Sequence, residues 1–250
     1  MFLLALVCLG VRSDIGPRAR LSAQMGRLPA LTLWAWERPE DLTSIDPATT
    51  AVAYLDRTIL VGDGVLCRPR RQPLTVPGGT TRIAVVRIEA LPSARLDDAQ
   101  TTRVLDLLLE SARRPGIAAL QVDFDATRSQ RRFYAGLLRE LRRRMPAGLP
   151  LSITALASWC SNDDWIAALP VDEAVPMFFR MEPGRRQKAP DAPEMQVREP
   201  LCTGSAGVST REDWPEGLAG KRVYVFADRG WHDDLELLRS RELKEKGNGI

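Results

Sequence analysis

Histidine is almost missing from this chain, with His232 the only one present. The four cysteines, Cys8, Cys67, Cys160 and Cys202, include no CxxC pair, so a zinc site of the ordinary Cys/His type is excluded. A Ser-His-Asp triad would have to run through His232, which follows Trp231 and precedes two aspartates, and no nucleophile elbow occurs elsewhere. His232 therefore reads as a surface or helix-start residue. Charge of one sign is equally scarce: 35 basic residues face 32 acidic ones, an excess too small to call for a nucleic-acid partner. Apolar runs are short as well. The opening "MFLLALVCLGV" has 11 residues, against the ~20 that a bilayer crossing needs. Cys67, Cys160 and Cys202 are either buried thiols or include one disulfide, and their spacing does not choose.

That opening stretch looks like part of a secretory leader, although a basic n-region and a clean small-x-small cleavage site are missing. A start codon assigned downstream of the true one accounts for both defects. On this reading the protein is exported to the periplasm or cell envelope, with a leader able to associate with membrane. On the rival reading the stretch is a cytoplasmic N-terminus. "RSDIGPRARLSAQMGRLP" then reads as a linker. The expected organisation is a leader and linker over 1–30, one folded domain over 31–244 and a disordered tail over 245–250.

From Leu31 onward, short runs rich in Val, Ile, Leu and Ala alternate with helical or loop segments. Strands are expected at 31–36, 51–61, 82–90, 117–125, 151–158, 173–179, 200–206 and 222–227. Helices are expected over Asp97 to Arg113, Arg128 to Met145, 161–170 with Ser161 or Asn162 as N-cap, and Asp233 to Lys244. Phe133, Leu137, Leu138 and Leu141 form the apolar face of the second. The run Arg139, Arg142, Arg143 and Arg144 reads as its solvated outer face rather than a phosphate-binding patch, since no aromatics are interleaved. Residues 183–200 read as a long loop. Eight strands with intervening helices indicate an α/β fold, a single (β/α)8 TIM-barrel-like domain. Irregularity is expected at strand 2, where "GDG" (62–64) suggests a hairpin, and at strand 7, rich in Gly and Ser.

In such barrels the working groups come from the carboxyl ends of the strands. Those ends supply the catalytic candidates Asp125, Asp123 and Glu37, and the substrate-binding candidates Trp34, Trp36, Gln121, Trp159, Arg180 and Asp228. Strand periodicity puts Gln121, Asp123 and Asp125 on one face. Two neighbouring buried carboxylates require a cation opposite, Arg180 or another, or a shared proton, and acids with separated pKa values suit general acid–base chemistry. The structural alternatives are a helix cap for Asp125, competing with Thr127 and Ser129, and a lumen salt bridge for Asp123. Trp34 and Trp36 share a face and offer an aromatic wall for a sugar ring. Asp123, Asp125 and Asp228 have the oxygens that Mg²⁺ or Ca²⁺ prefers, but no recognisable binding loop accompanies them. Neither metal nor cofactor is expected.

At "LTLWAWERPEDL" (31–42), "QVDFDATRSQRRFYAGLLRELRRRMP" (121–146), "LSITALASWC" (151–160) and "VDEAVPMFFRM" (171–181) the chain resembles a bacterial family known as domain of unknown function 3142. The resemblance implies a barrel-like, exported protein and brings no established activity. A fainter likeness is to family 18 glycoside hydrolases, whose fourth strand ends in D-x-D-x-E. Gln121, Asp123 and Asp125 occupy those three places, with an amide for the first acid and an aspartate for the final glutamate. The expected function is an exported, carbohydrate-active, glycoside hydrolase-like barrel with a glycan as substrate. The alternative is a non-catalytic barrel that binds a glycan or an envelope partner.

Overall fold

The computed structural model describes residues 23–161, 163–179 and 197–247. The apolar opening stretch, Asn162, Arg180, most of the expected 183–200 loop and residues 248–250 lie outside the described residues. The strands are β1 (Leu31–Ala35), β2 (Glu40–Asp41), β3 (Thr50–Val61), β4 (Val65–Pro69), β5 (Leu74–Thr75), β6 (Arg82–Ala90), β7 (Ala119–Asp123), β8 (Leu151–Leu156), β9 (Glu173–Met177), β10 (Ser205–Ser209) and β11 (Arg222–Phe226). The helices are α1 (Asp98–Ala112), α2 (Arg131–Arg144), the short α3 (Ala157–Ser161) and α4 (Trp231–Gly247).

Parallel pairing runs β1, β3, β6, β7, β8, β9, β10, β11, and β1 pairs with both β3 and β11, so the sheet closes into an eight-stranded barrel. Closure removes the sheet edges that would otherwise template association. The expected hairpin at strand 2 is present: β3 turns at Gly62, whose N–H donates to the Gly64 carbonyl, and β4 returns antiparallel to it.

The helices follow their apolar stripes. Asp97 caps α1 by accepting the Gln100 N–H at 2.9 Å, and Val104, Leu105, Leu108 and Ala112 bury its inner face. In α2 the buried stripe is Tyr134, Leu137, Leu138 and Leu141, with Phe133 only partly covered. These side chains pack on the outward residues of β6, β7 and β8. Each such fully buried aliphatic side chain stabilises by roughly 1.5–3 kcal/mol relative to exposure. Arg139, Arg143 and Arg144 lie exposed, with Arg143 and Arg144 pairing with Glu140 and Asp106, whereas Arg142 departs from the expected solvated face: it is half-buried, donates to the carbonyls of Pro170 and Leu149 and pairs with Asp172.

Several boundaries differ from expectation; the strand expected over 117–125 ends at Asp123, which leaves Asp125 just beyond it. Strand 7 is displaced: Pro200–Cys202 forms a 3-10 turn and the strand is Ser205–Ser209. Proline suits a first helical turn because it lacks the N–H a ladder needs. The helix expected over 161–170 instead occupies Ala157–Ser161 and is followed by turns. The last helix runs to Gly247, three residues into the expected tail. Residues 23–30, expected as linker, sit under the barrel: Met25 is 3% exposed and joins the lumen cluster, and the Arg222 guanidinium donates to the carbonyls of Met25 and Pro29.

Candidate active site

Along β7 the alternation is strict. Leu120, Val122 and Phe124 pack outward against α2 and its neighbours, which turns Gln121 and Asp123 into the lumen. Asp123 is 4% exposed, and both its oxygens are held. Thr154 Oγ donates to Oδ1 at 2.6 Å and Arg87 to Oδ2 at 2.9 Å. Arg87 also donates through Nε to Glu89 at 2.7 Å. A buried carboxylate costs several kcal/mol unless it is paired, so Arg87 is the cation the acid pair requires. The sequence expectation of Arg180 or another cation is met by Arg87; Arg180 lies outside the described residues. The signal was available in "RIAVVRIEA", where Ile83, Val85, Arg87 and Glu89 share one parity.

Asp125 differs from its neighbour. Its side chain is exposed at the mouth, and no hydrogen bond or ion pair joins its carboxylate to the described residues. It does not cap the following helix. That turn is closed by the Thr127 N–H donating to Gln130 Oε1 at 2.9 Å. Partial desolvation in the concave mouth, then the negative charge of Asp123, push the Asp125 pKa above the ordinary aspartate value, while Arg87 pulls the other way.

Beneath the pair lies a continuous polar chain. Trp34 Nε1 donates to Gln121 Oε1 at 2.8 Å, Gln121 donates to Ser152 at 3.1 Å, and Ser152 to Glu173 at 3.0 Å. Glu173 also accepts from Tyr224 and Arg222, both at 2.7 Å. Gln121 is fully buried and Trp34 is 3% exposed, so both sit below the mouth, with their polar groups paired to each other and to Ser152. The Trp34 indole fills the space over Gly207, where an added Cβ would meet it at 3.0 Å.

The aromatic wall at the mouth consists of Trp36, Phe226 and Phe179. Phe226 stacks on Phe179 with centroids 5.5 Å apart and planes 9° apart, and meets Trp36 edge-on at 6.2 Å. The Arg87 guanidinium lies 5.8 Å from the centre of the Trp36 ring, so one cation touches both the acid pair and the wall. Neither phenylalanine was singled out from sequence, although Phe226 shares the parity of Tyr224. Asp228, two residues beyond Phe226, accepts from Ser209 at 2.6 Å.

Two candidates lie elsewhere. Trp159 is 3% exposed and packs against Trp165 behind the sheet, because β8 ends at Leu156 and the chain turns outward into α3. Glu37 is exposed, and its Oε1 accepts the backbone N–H groups of Arg71 and Gln72 at 3.0 and 3.2 Å. Concavities of about 750 and 800 Å³ open between the starts of α1 and α2 and at the barrel floor, and neither is lined by Asp123 or Asp125.

The chain is thus a closed parallel (β/α)8-type barrel carrying a carboxylate pair and an aromatic wall at its mouth. The model of the family "Domain of unknown function (DUF3142)" matches residues 78–179, which include Arg87, Asp123 and Asp125. No protein of curated function matches the sequence. Among solved structures the chain is similar to the Bacillus cereus spore cortex-lytic enzyme SleL, at 16% identity and a TM-score of 0.47, over 72% of this chain and 50% of that one. It is also similar to a family GH18 chitinase from Chromobacterium violaceum, at 8% identity and a TM-score of 0.48, over 87% and 86%. A third is the chitinase domain of the spore coat protein CotE from Clostridium difficile, at 15% identity and a TM-score of 0.35, over 69% and 53%. The chain spans about half the length of the first and third of these.

Proposed function

We propose that the barrel mouth takes a glycan and that Asp125 donates a proton to the glycosidic oxygen as a glycosidic bond breaks. The observation that carries this reading is the contrast between two acids at one strand end, Asp123 as the last residue of β7 and Asp125 two residues beyond it. Asp123 is buried, paired with Arg87 and hydrogen-bonded by Thr154; Asp125 is unpaired among the described residues, open to the mouth and raised in pKa. Partial burial and the neighbouring charge of Asp123 favour the proton-bearing form of Asp125, the form a general acid needs, while the contacts of Asp123 with Arg87 and Thr154 hold that side chain in place. The leaving sugar departs as an alcohol, and a water molecule adds to the anomeric carbon and gives up its proton to the Asp125 carboxylate, so the net reaction is hydrolysis. Asp123 supplies fixed negative charge beside the developing oxocarbenium ion, and Trp36 with Phe226 and Phe179 offers apolar faces to a sugar ring. Asp228 is the remaining polar candidate at the rim. The Cys160–Cys202 disulfide suits an oxidising compartment and supports export to the periplasm or envelope.

A non-catalytic, glycan-binding barrel is the second reading. It is favoured by the position of Gln121, which stands where the likeness to D-x-D-x-E has an acid and is committed to Trp34 and Ser152. Incubating the purified protein with a panel of polysaccharides, and following both bound protein and new reducing ends, separates the two. Release by the wild type, absent in Asp125→Asn while binding persists, is the expected outcome. Binding without release identifies a lectin-like barrel. Neither binding nor release contradicts both readings.

A further inference from the structure

The loop after β1 carries Trp36, and a second loop, Arg70 to Pro73, clasps it from both directions. The Arg70 guanidinium donates to the carbonyls of Ala35 at 3.1 Å, Arg38 at 2.8 Å and Trp36 itself, while its Nε donates to Gln72 at 2.9 Å. In return, the Glu37 carboxylate accepts the N–H groups of Arg71 and Gln72. The Glu40 N–H then donates to the Pro73 carbonyl at 3.0 Å, and β2 pairs with β5 from Glu40 and Leu74 onward. A planar, five-donor fork can gather several carbonyls at once; a lysine ammonium on its flexible stem cannot reproduce that geometry.

We infer that Arg70 is the positioning residue of the mouth: it fixes the backbone on both sides of Trp36, and thereby the pose of the indole against Phe226 and Arg87. Glu37 completes the clasp, which gives that carboxylate a positioning rather than an acid role. On the glycan reading, on which this part rests, Arg70 governs substrate affinity through Trp36 and leaves proton donation by Asp125 untouched. The far end of the loop is tied independently. Arg38 donates to the Asp228 carbonyl at 3.0 Å and to that of Ala227, and pairs with Glu40 at 2.8 Å. Loss of Arg70 therefore loosens one side of the Trp36 loop while Arg38 retains the other.

The test labels the protein with 5-fluorotryptophan, assigns the Trp36 resonance through Trp36→Phe, and compares wild type, Arg70→Lys and Arg70→Met by ¹⁹F NMR. Binding of N,N′,N″,N‴-tetraacetylchitotetraose and of soluble peptidoglycan fragments is measured alongside. A shifted or broadened Trp36 resonance in both variants, with the other tryptophan resonances unchanged, is expected. Affinity for whichever probe the wild type binds should fall about tenfold, the scale of one aromatic stacking contact, with no further loss in Arg70→Met combined with Trp36→Ala. An unchanged Trp36 resonance in folded Arg70→Met overturns the positioning role, as do losses that add in the double variant. If Trp36→Ala binds as wild type does, the sugar-platform role of Trp36 fails while glycan binding stands, and if wild type binds neither probe the glycan reading fails; in both cases the resonance alone decides the role of Arg70.

Discussion

Arg87 makes three contacts with one side chain: it pairs with Asp123, pairs with Glu89 and lies over Trp36. Its removal strands a buried carboxylate. Arg87→Met should cost about 2 kcal/mol in urea denaturation, below the full penalty for breaking a buried pair because the guanidinium is partly solvated, and Asp123→Asn in the same chain should recover much of it. Asp125 has the opposite character. Its folded-state pKa lies above its unfolded value, so the folded state binds the extra proton. The stability it contributes is present at low pH and is lost as pH rises from the ordinary aspartate range through the raised value. Asp125→Asn should therefore melt no lower than wild type at pH 7 in calorimetry. The alkaline limb of kcat/KM should lie above the ordinary aspartate range and move down in Asp123→Asn, since that charge is the second cause of the elevation. The Asp123/Asp125 pair was legible in the sequence because period two is local. Its cation was legible only in part: parity puts Arg87 on the inner face of its own strand, but it is 36 residues away and only strand order brings it opposite Asp123.

Among the elements, β10 shows why composition misleads. Ser205, Ala206 and Gly207 are poor strand formers in isolation, yet a larger residue at 207 would strike Trp34. Gly207→Ala should destabilise by about 1–3 kcal/mol, the usual scale of overpacking, and Trp34→Phe should relieve part of this, read in chemical denaturation. The same region is stapled by Cys160–Cys202, which ties α3 to the 3-10 turn ahead of β10 across 42 residues. Replacing both cysteines by serine should cost about 3–4 kcal/mol, the loop-closure scale for that length, and reductant should lower the melting temperature of wild type but not of the variant. The remaining strands were readable because both faces of a closed parallel barrel are buried, leaving continuous apolar runs. The boundaries at 161–170 and 200–206 were not, since a disulfide joins the two regions and Trp34 packs on Gly207 from another part of the chain; only Pro200 is a local cue, and neither period nor composition overrides it.

At the scale of the whole molecule the barrel has two unlike ends. The floor is sealed by the Arg222–Glu173 pair and by Met25 from the segment before β1. The mouth gathers Asp123, Asp125, Arg87 and an aromatic wall from five separate strand ends. This polarity is what places candidate chemistry at one end only. General acid catalysis by Asp125 is the central claim, and leaving-group dependence tests it most directly. Aryl glycosides of the sugar that the wild type releases should be compared in wild type and Asp125→Asn, because a 2,4-dinitrophenolate departs without protonation whereas an alkyl or sugar alkoxide does not. The account predicts that Asp125→Asn loses about 100-fold or more on natural linkages while retaining most of its rate on the dinitrophenyl glycoside. Equal losses on both substrates, or none on either, would contradict it.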